Sequence, residues 1–174
     1  ALAAGVAEHG ASVHFVTAEL DRGDYLSLEN RPPHFTTWLT TINADGSPHV
    51  TAVGALWDQG AFWFQTGRRT LKARNVDRDP RCAVSITLDA FDVVVEGTAG
   101  RVTDTVTVAR IAHLYATRGG WPAEPDESGT GLTAPFNAPG LGPAPWFVYR
   151  IEPRAATSVL TTSATEGGST RWTW

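Results

Sequence analysis

The chain has 174 residues, of which 42% are hydrophobic and 18% charged. That balance excludes a disordered chain or a coiled coil, and the length suffices for one core without disulfides. The single cysteine, Cys82, excludes an internal disulfide and a cysteine-based zinc centre, while 14 cationic against 18 acidic residues, net −4, excludes a general nucleic-acid binder.

The N-terminal stretch, ALAAGVAEHGASVHF, has no basic n-region and no long apolar segment, so it does not read as a signal peptide. No apolar run approaches the ~20 residues of a membrane helix. With one cysteine and no export signal, the expectation is a cytoplasmic protein in one domain, 1–174, with 1–30 as an extension. Residues 1–16 show little periodicity. Residues 17–31 are expected to hold a short helix, ended by Pro32-Pro33.

Thr36–Asn43 is β-branched and aromatic and reads as a strand, followed by the turn Ala44-Asp45-Gly46-Ser47. His49–Trp57 is the second strand, Asp58-Gln59-Gly60 a turn, and Ala61–Thr66 the third strand. A helix follows, capped by Thr70, running from Leu71 to Val76 and stopped before Pro80. Arg81–Leu88 and Phe91–Thr103 return as strands, with Gly97 and Gly100 marking a bend or bulge. Asp104 or Thr105 caps a second helix, whose apolar face is Val108, Ile111, Ala112 and Tyr115, and Gly119-Gly120 ends it.

From 119 to 145, 12 of 27 residues are Gly or Pro. This stretch reads as a long functional loop, and its Trp121, Leu132, Phe136 and Leu141 suit a bulky apolar acceptor. Trp146–Glu152 and Ala155–Thr162 read as a hairpin around Pro153, and a polar spacer leads to Arg171-Trp172-Thr173-Trp174. Six or seven antiparallel strands with two helices point to a closed or partly closed barrel, which removes exposed edges.

The chain carries no G-x-S-x-G elbow and no P-loop, and its five histidines have no metal-ligand spacing. Gly129-Thr130-Gly131-Leu132-Thr133-Ala134 has the letters of a dinucleotide fingerprint, but Pro135 follows and no helix does. No catalytic residue and no metal site is identified. The chemistry therefore falls to a cofactor.

The cations are 13 Arg and one Lys, and six of the 14 fall between Arg68 and Arg81, with only Asp77 and Asp79 against them. A local balance of +4 in a chain of net −4 points to a local anionic ligand. Thr66-Gly67-Arg68-Arg69-Thr70 lies between a strand end and a helix start, where backbone N–H groups favour anions. Gly67 allows close approach, Thr70 offers a hydroxyl, and Lys72 with Arg68 or Arg69 offers charge. The competing reading is a solvated basic helix. Arg78 and Arg81 read as surface partners of Asp77 and Asp79.

GRRTLKARNVDRDPR, with ADGSPHVTAV before it and VVVEGTAGRV after it, resembles the split β-barrel flavin and deazaflavin oxidoreductases. That superfamily includes pyridoxamine 5'-phosphate oxidase, and the most similar branch is the one described as F420-dependent. The resemblance covers about residues 33–118. It implies a mainly β fold with two or three short helices, a six-stranded antiparallel split barrel, and a homodimer with cofactor sites at the subunit interface. It also implies that the cofactor phosphate sits against Thr66 to Asn75, including Thr66, Gly67, Arg68, Arg69, Thr70 and Asn75, with Lys72 as the phosphate-binding lysine. Thr70 departs from the Ser or Arg usual there. The ring would lie along His49, Val50, Thr51, Ala52 and Val53. Arg171-Trp172 resembles the end of the phosphate oxidase chain, where an arginine reaches the substrate; the competing reading is a terminal strand packing its tryptophans on the barrel. Trp38, Trp57 and Trp63 read as core or dimer-interface aromatics.

Three functions follow. The first is hydride transfer between reduced coenzyme F420 and a conjugated organic acceptor. The second keeps the fold but uses FMN. The third is a non-catalytic flavin- or haem-binding protein. Arg68, Arg69 and Arg74 favour the first, because the F420 tail is a chain of glutamates.

Overall fold

The computed structural model describes residues 36–88, 91–137, 142–161 and 169–174, with three short strands nearer the N-terminus. Those three, β1 (Glu8–His9), β2 (Ser12–Phe15) and β3 (Leu26–Ser27), form a small antiparallel sheet. The strand at Leu26–Ser27 stands within the stretch expected to be helical, and the rest of 17–31 lies outside the described residues.

The main sheet begins with β4 (Thr37–Ile42) and β5 (Pro48–Val53), joined by a turn in which Ser47 N–H donates to Asp45 Oδ1 at 2.9 Å. The single strand expected over His49–Trp57 is two. The chain breaks at Gly54-Ala55 and resumes as β6 (Leu56–Asp58). The break is pinned from outside, because Tyr115 Oη donates to the Gly54 carbonyl at 2.7 Å. A tight turn with Gln59 at φ 49 and Gly60 at φ 71 leads into β7 (Ala61–Gly67). Both central residues of such a turn are left-handed, which is why glycine suits the second.

Helix α1 (Leu71–Arg78) starts where the sequence places it: Thr70 Oγ1 accepts from Ala73 N–H. Strands β8 (Arg81–Thr87) and β9 (Phe91–Val102) follow, then α2 (Thr105–Thr117), capped by Asp104 accepting from Thr107 N–H at 2.8 Å. Its buried residues are Val108, Ile111, Ala112 and Tyr115, the four the 3.6-residue period selects. The Gly/Pro-rich stretch is not structureless. It contains a short hairpin, β10 (Glu124–Pro125) with β11 (Leu132–Thr133), and β11 joins the main sheet.

The hairpin expected around Pro153 is instead one 15-residue strand, β12 (Trp146–Leu160). Proline is tolerated because the ladder slips between Pro153 and Ala155, opposite Gly97. A Cβ on Gly97 would stand 2.2 Å from the Glu152 carbonyl oxygen, so only glycine fits that approach. Strand β13 (Ser169–Thr173) pairs with the second half of β12.

The ladder order is β6-β7-β12-β9-β8-β4-β5, antiparallel throughout. Among the described residues no ladder joins β5 to β7, so the sheet curls round its core without a continuous hydrogen-bonded closure. Every residue of β7 is buried because the strand divides two cores. Phe62 and Phe64 face the core enclosed by the sheet, with Leu39, Val84, Val95, Tyr149 and Ile151, and α1 adds Ala73 and Val76. Ala61 and Trp63 face the core beneath α2, with Val108, Ile111, Leu132 and Val148. Among the described residues no helix is long and apolar enough to cross a membrane.

Candidate cofactor site

The strand-to-helix segment from Thr66 to Asn75 is built as a cradle. Thr66 is fully buried, and its hydroxyl lies 2.9 Å from Thr70 Oγ1, which in turn donates to the Gly67 carbonyl at 2.9 Å. Thr70 thus spends its hydroxyl on shaping the turn and capping the helix, rather than offering it outward. The N–H groups of Leu71 and Lys72, in the first turn of α1, have no acceptor within the helix. Arg68 and Arg69 are exposed beside them.

Lys72 departs most from the sequence reading. An exposed cation was expected on this helix; instead its residue is only 7% exposed. Burial pushes the amine's pKa down, and among the described residues no carboxylate offsets that shift. Drawing the amine partly out of water disfavours its charged form, and an anion at the helix N-terminus would offset that.

Asn75 is fully buried and wholly committed. Its Nδ2 donates to Thr41 Oγ1 at 3.1 Å and to Asn43 Oδ1 at 3.0 Å, and its Oδ1 accepts from Arg78 at 3.3 Å. It ties α1 to β4 and leaves no polar atom for a ligand. Arg78 does not pair with Asp77 as expected; it donates to the Ile42 carbonyl and to Asn75. Arg81 does pair with Asp79, and that bond holds the Asp79 carboxyl down to about 2.

Lys72 precedes Asn75 by three residues and so lies on the same flank of α1, the flank that meets β4. Thr41, which Asn75 holds, is the register partner of His49. The cradle and the β5 segment His49, Val50, Thr51, Ala52 and Val53 are therefore brought to one edge of the sheet. Along β5, Val50 and Ala52 are exposed, while His49, Thr51 and Val53 are half-buried. The Thr51 hydroxyl lies 3.5 Å from the Ala52 carbonyl oxygen.

Arg171 and Trp172 are elsewhere. The Arg171 guanidinium grips both Glu96 oxygens at 3.0 and 3.1 Å and also donates to Thr157. Trp172 is 7% exposed within the inner core. This is the terminal strand packed on the sheet, the second of the two sequence readings. Trp57 and Trp63 are core residues, whereas Trp38 is 49% exposed. Trp38 of β4, Val50 and Ala52 of β5 and Val94 of β9 are exposed on the outer face of the sheet, with Ser85 of β8 standing between Trp38 and Val94.

The Gly/Pro-rich stretch meets the cradle from the other side. Trp146 is the register partner of Gly67, and its indole packs edge-on against Trp121 with centroids 5.4 Å apart. Ala123 and Leu132 are core residues. Its described part is packed on the α2 side through these residues, while Phe136 is exposed and Leu141 lies outside the described residues.

A family model described as pyridoxamine 5'-phosphate oxidase matches residues 29–134. No curated protein matches the sequence. A solved F420 reductase is similar over 74% of this chain and 92% of its own, at 22% identity and TM-score 0.53. A putative pyridoxamine 5'-phosphate oxidase from Listeria innocua covers 74% of this chain and 89% of its own, at 20% identity and TM-score 0.52. A heme binding protein from Mycobacterium smegmatis covers 78% of this chain and 52% of its own, at 19% identity and TM-score 0.52. At these identities the likenesses bear on fold alone. The family match spans more than half of the chain and includes the cradle, β5 and both helix starts, and on it the chain belongs to the pyridoxamine 5'-phosphate oxidase family.

Proposed function

We propose that this protein is a deazaflavin-dependent oxidoreductase, using F420 to pass a hydride to a conjugated organic acceptor. The observation that carries the reading is Lys72, in the first turn of α1, a residue only 7% exposed that makes no ion pair among the described residues. The residues present fit a phosphate. Lys72 supplies charge, the Leu71 and Lys72 N–H groups supply donors, and Gly67 leaves room beside them. Arg68, Arg69 and Arg74 are exposed nearby and suit the acidic tail of F420, which FMN lacks.

When bound, the deazaflavin supplies the hydride. The chain's own residues anchor the phosphate, align the ring along His49–Val53 and donate backbone hydrogen bonds to its edge. A second copy of the chain, seated on the Trp38–Val50–Val94 face, would complete the site. Exposed large apolar side chains on one sheet face support that reading.

Titration of the purified protein with F420, FMN and haem separates the alternatives. Saturable F420 binding, with bleaching of the reduced cofactor's partner acceptor across a panel of enones and quinones, is the expected result. Tight FMN binding without F420 binding would make it an FMN enzyme. Binding of haem or flavin without turnover would make it a carrier.

A further inference from the structure

We propose that the Tyr115 hydroxyl is a positioning group, which clasps the end of β5 to β7 and so sets the gap between these strands that is offered to the cofactor ring. The part played by the ring rests on the deazaflavin reading above; the clasp itself does not.

The gap follows from the strand register. Strand β6 pairs with β7 as Leu56 with Trp63, Trp57 with Phe62 and Asp58 with Ala61. Continued back along the chain, the same register would set Gly54 opposite Gln65 and Val53 opposite Thr66. Among the described residues that ladder does not form, and β5 pairs with β4 alone. The two strands therefore part at Gly54. Beyond that point the β5 segment from His49 to Val53 borders one side of the gap, and Thr66 and Gly67 of the cradle border the other.

Tyr115 of α2 stands where the strands part. Its hydroxyl donates to the Gly54 carbonyl at 2.7 Å and reaches the Trp63 carbonyl at 3.2 Å. One proton thus spans the first residue beyond β5 and the last residue of β7 that β6 pairs. Gly54 lies outside every ladder, so this bond is its tie to the α2 side. The donor is itself held firmly. Tyr115 is buried, its ring packs edge-on against Trp121 with centroids 5.5 Å apart, and its carbonyl accepts from Trp121 N–H at 3.1 Å. Burial pushes the phenol's pKa up, so the hydroxyl keeps its proton and stays a donor. Trp121 belongs to the Gly/Pro-rich stretch, which thereby braces the clasp. Without the hydroxyl, Gly54 loses its tie to α2 and the end of β5 shifts with it.

Amide hydrogen exchange on the ligand-free full chain tests the clasp without reference to any cofactor. Tyr115→Phe keeps the ring and removes the donor. It should speed exchange at residues 51–56 by about tenfold or more and leave 72–76 of α1 as in wild type. Replacement of Tyr115 by 4-aminophenylalanine, which keeps a donor at that point, should restore the wild-type pattern. Wild type supplies a reading that needs no variant. A hydroxyl held in this way exchanges slowly, so the Tyr115 Cζ resonance should split in an equal mixture of light and heavy water. Equal exchange in wild type and Tyr115→Phe, acceleration spread equally over α1, or a single averaged Cζ line would overturn the proposal. The ring is then tested with 8-hydroxy-5-deazariboflavin, which has no phosphate. Tyr115→Phe should bind this compound about tenfold more weakly than wild type does. Unchanged affinity in the variant would overturn the positioning role. If wild type binds neither this compound nor F420, the deazaflavin reading fails, and the exchange result alone decides the clasp.

Discussion

Asn75 Nδ2 donates to Thr41 Oγ1 at 3.1 Å across 34 positions of sequence, and through that bond α1 is fastened to the strand that carries β5. The bond is buried, so neither partner has water as a substitute. Asn75→Ala removes donors to Thr41 and Asn43 and an acceptor for Arg78. It should cost about 2–3 kcal/mol. In a chain of this length that lowers Tm by about 5 °C or more. Arg81→Ala, which breaks only an exposed pair, should leave Tm close to wild type. Equal melting of the two variants would show that the Asn75 tie contributes nothing.

Lys72→Met should raise the stability of the ligand-free protein by about 1 kcal/mol, measured by denaturant unfolding in phosphate-free buffer. Cofactor affinity should fall tenfold to a hundredfold, and Lys72→Arg should recover only part of it. The gap in stability has a defined pH dependence. The folded-state pKa of Lys72 lies below its unfolded value. Below the folded-state pKa both states are protonated and the burial cost is fully present. As pH rises through the folded and then the unfolded pKa, the cost disappears. Wild type and Lys72→Met should therefore converge at alkaline pH. A gap that widens with pH would contradict the burial of an uncompensated ammonium.

Leu132 is fully buried in the core beneath α2. Leu132→Ala should cost about 2–5 kcal/mol, although it lies in a segment rich in Gly and Pro. Excision of residues 123–142 should unfold the α2 side of the molecule, since it removes both Ala123 and Leu132. Near-UV circular dichroism reads this directly. A deletion variant with native tertiary signal would return the segment to the status of a dispensable loop.

Trp38→Glu places a charge on the outer sheet face, where Trp38 is 49% exposed. Fold stability should change little, because the side chain packs against no buried core. Light scattering should report the monomer mass of 18.6 kDa for the variant and twice that for wild type. A monomeric wild type that still binds cofactor would remove the partner copy from the site.

Most of the sheet was legible because local signals agreed with the tertiary outcome. The turns at Asp45-Gly46 and Gln59-Gly60 set their hairpins, and both helix caps are where Thr70 and Asp104 stand. What failed were places where a distant partner decides the geometry. Pro153 reads as a corner until Gly97 of β9 is seen to admit the Glu152 carbonyl beside it. Val53 to Leu56 reads as continuous strand until Tyr115, some 61 positions on, takes the Gly54 carbonyl. Lys72 sits among arginines, and in one dimension a basic run looks solvated. Its four-residue spacing from the buried Val76 was the available signal that it faces inward.

Strand β12 exchanges backbone hydrogen bonds with β7, β9, β11 and β13. Each of these neighbours would lose a ladder if it left, so the centre of the sheet cannot open at β12 without giving up four ladders together. Unfolding is then cooperative, and a partly opened species lacks a stable stopping point. Amide exchange at Val148 to Ile151 should proceed only through the globally unfolded state. The exchange free energies there should agree with one another and with the value from denaturant titration.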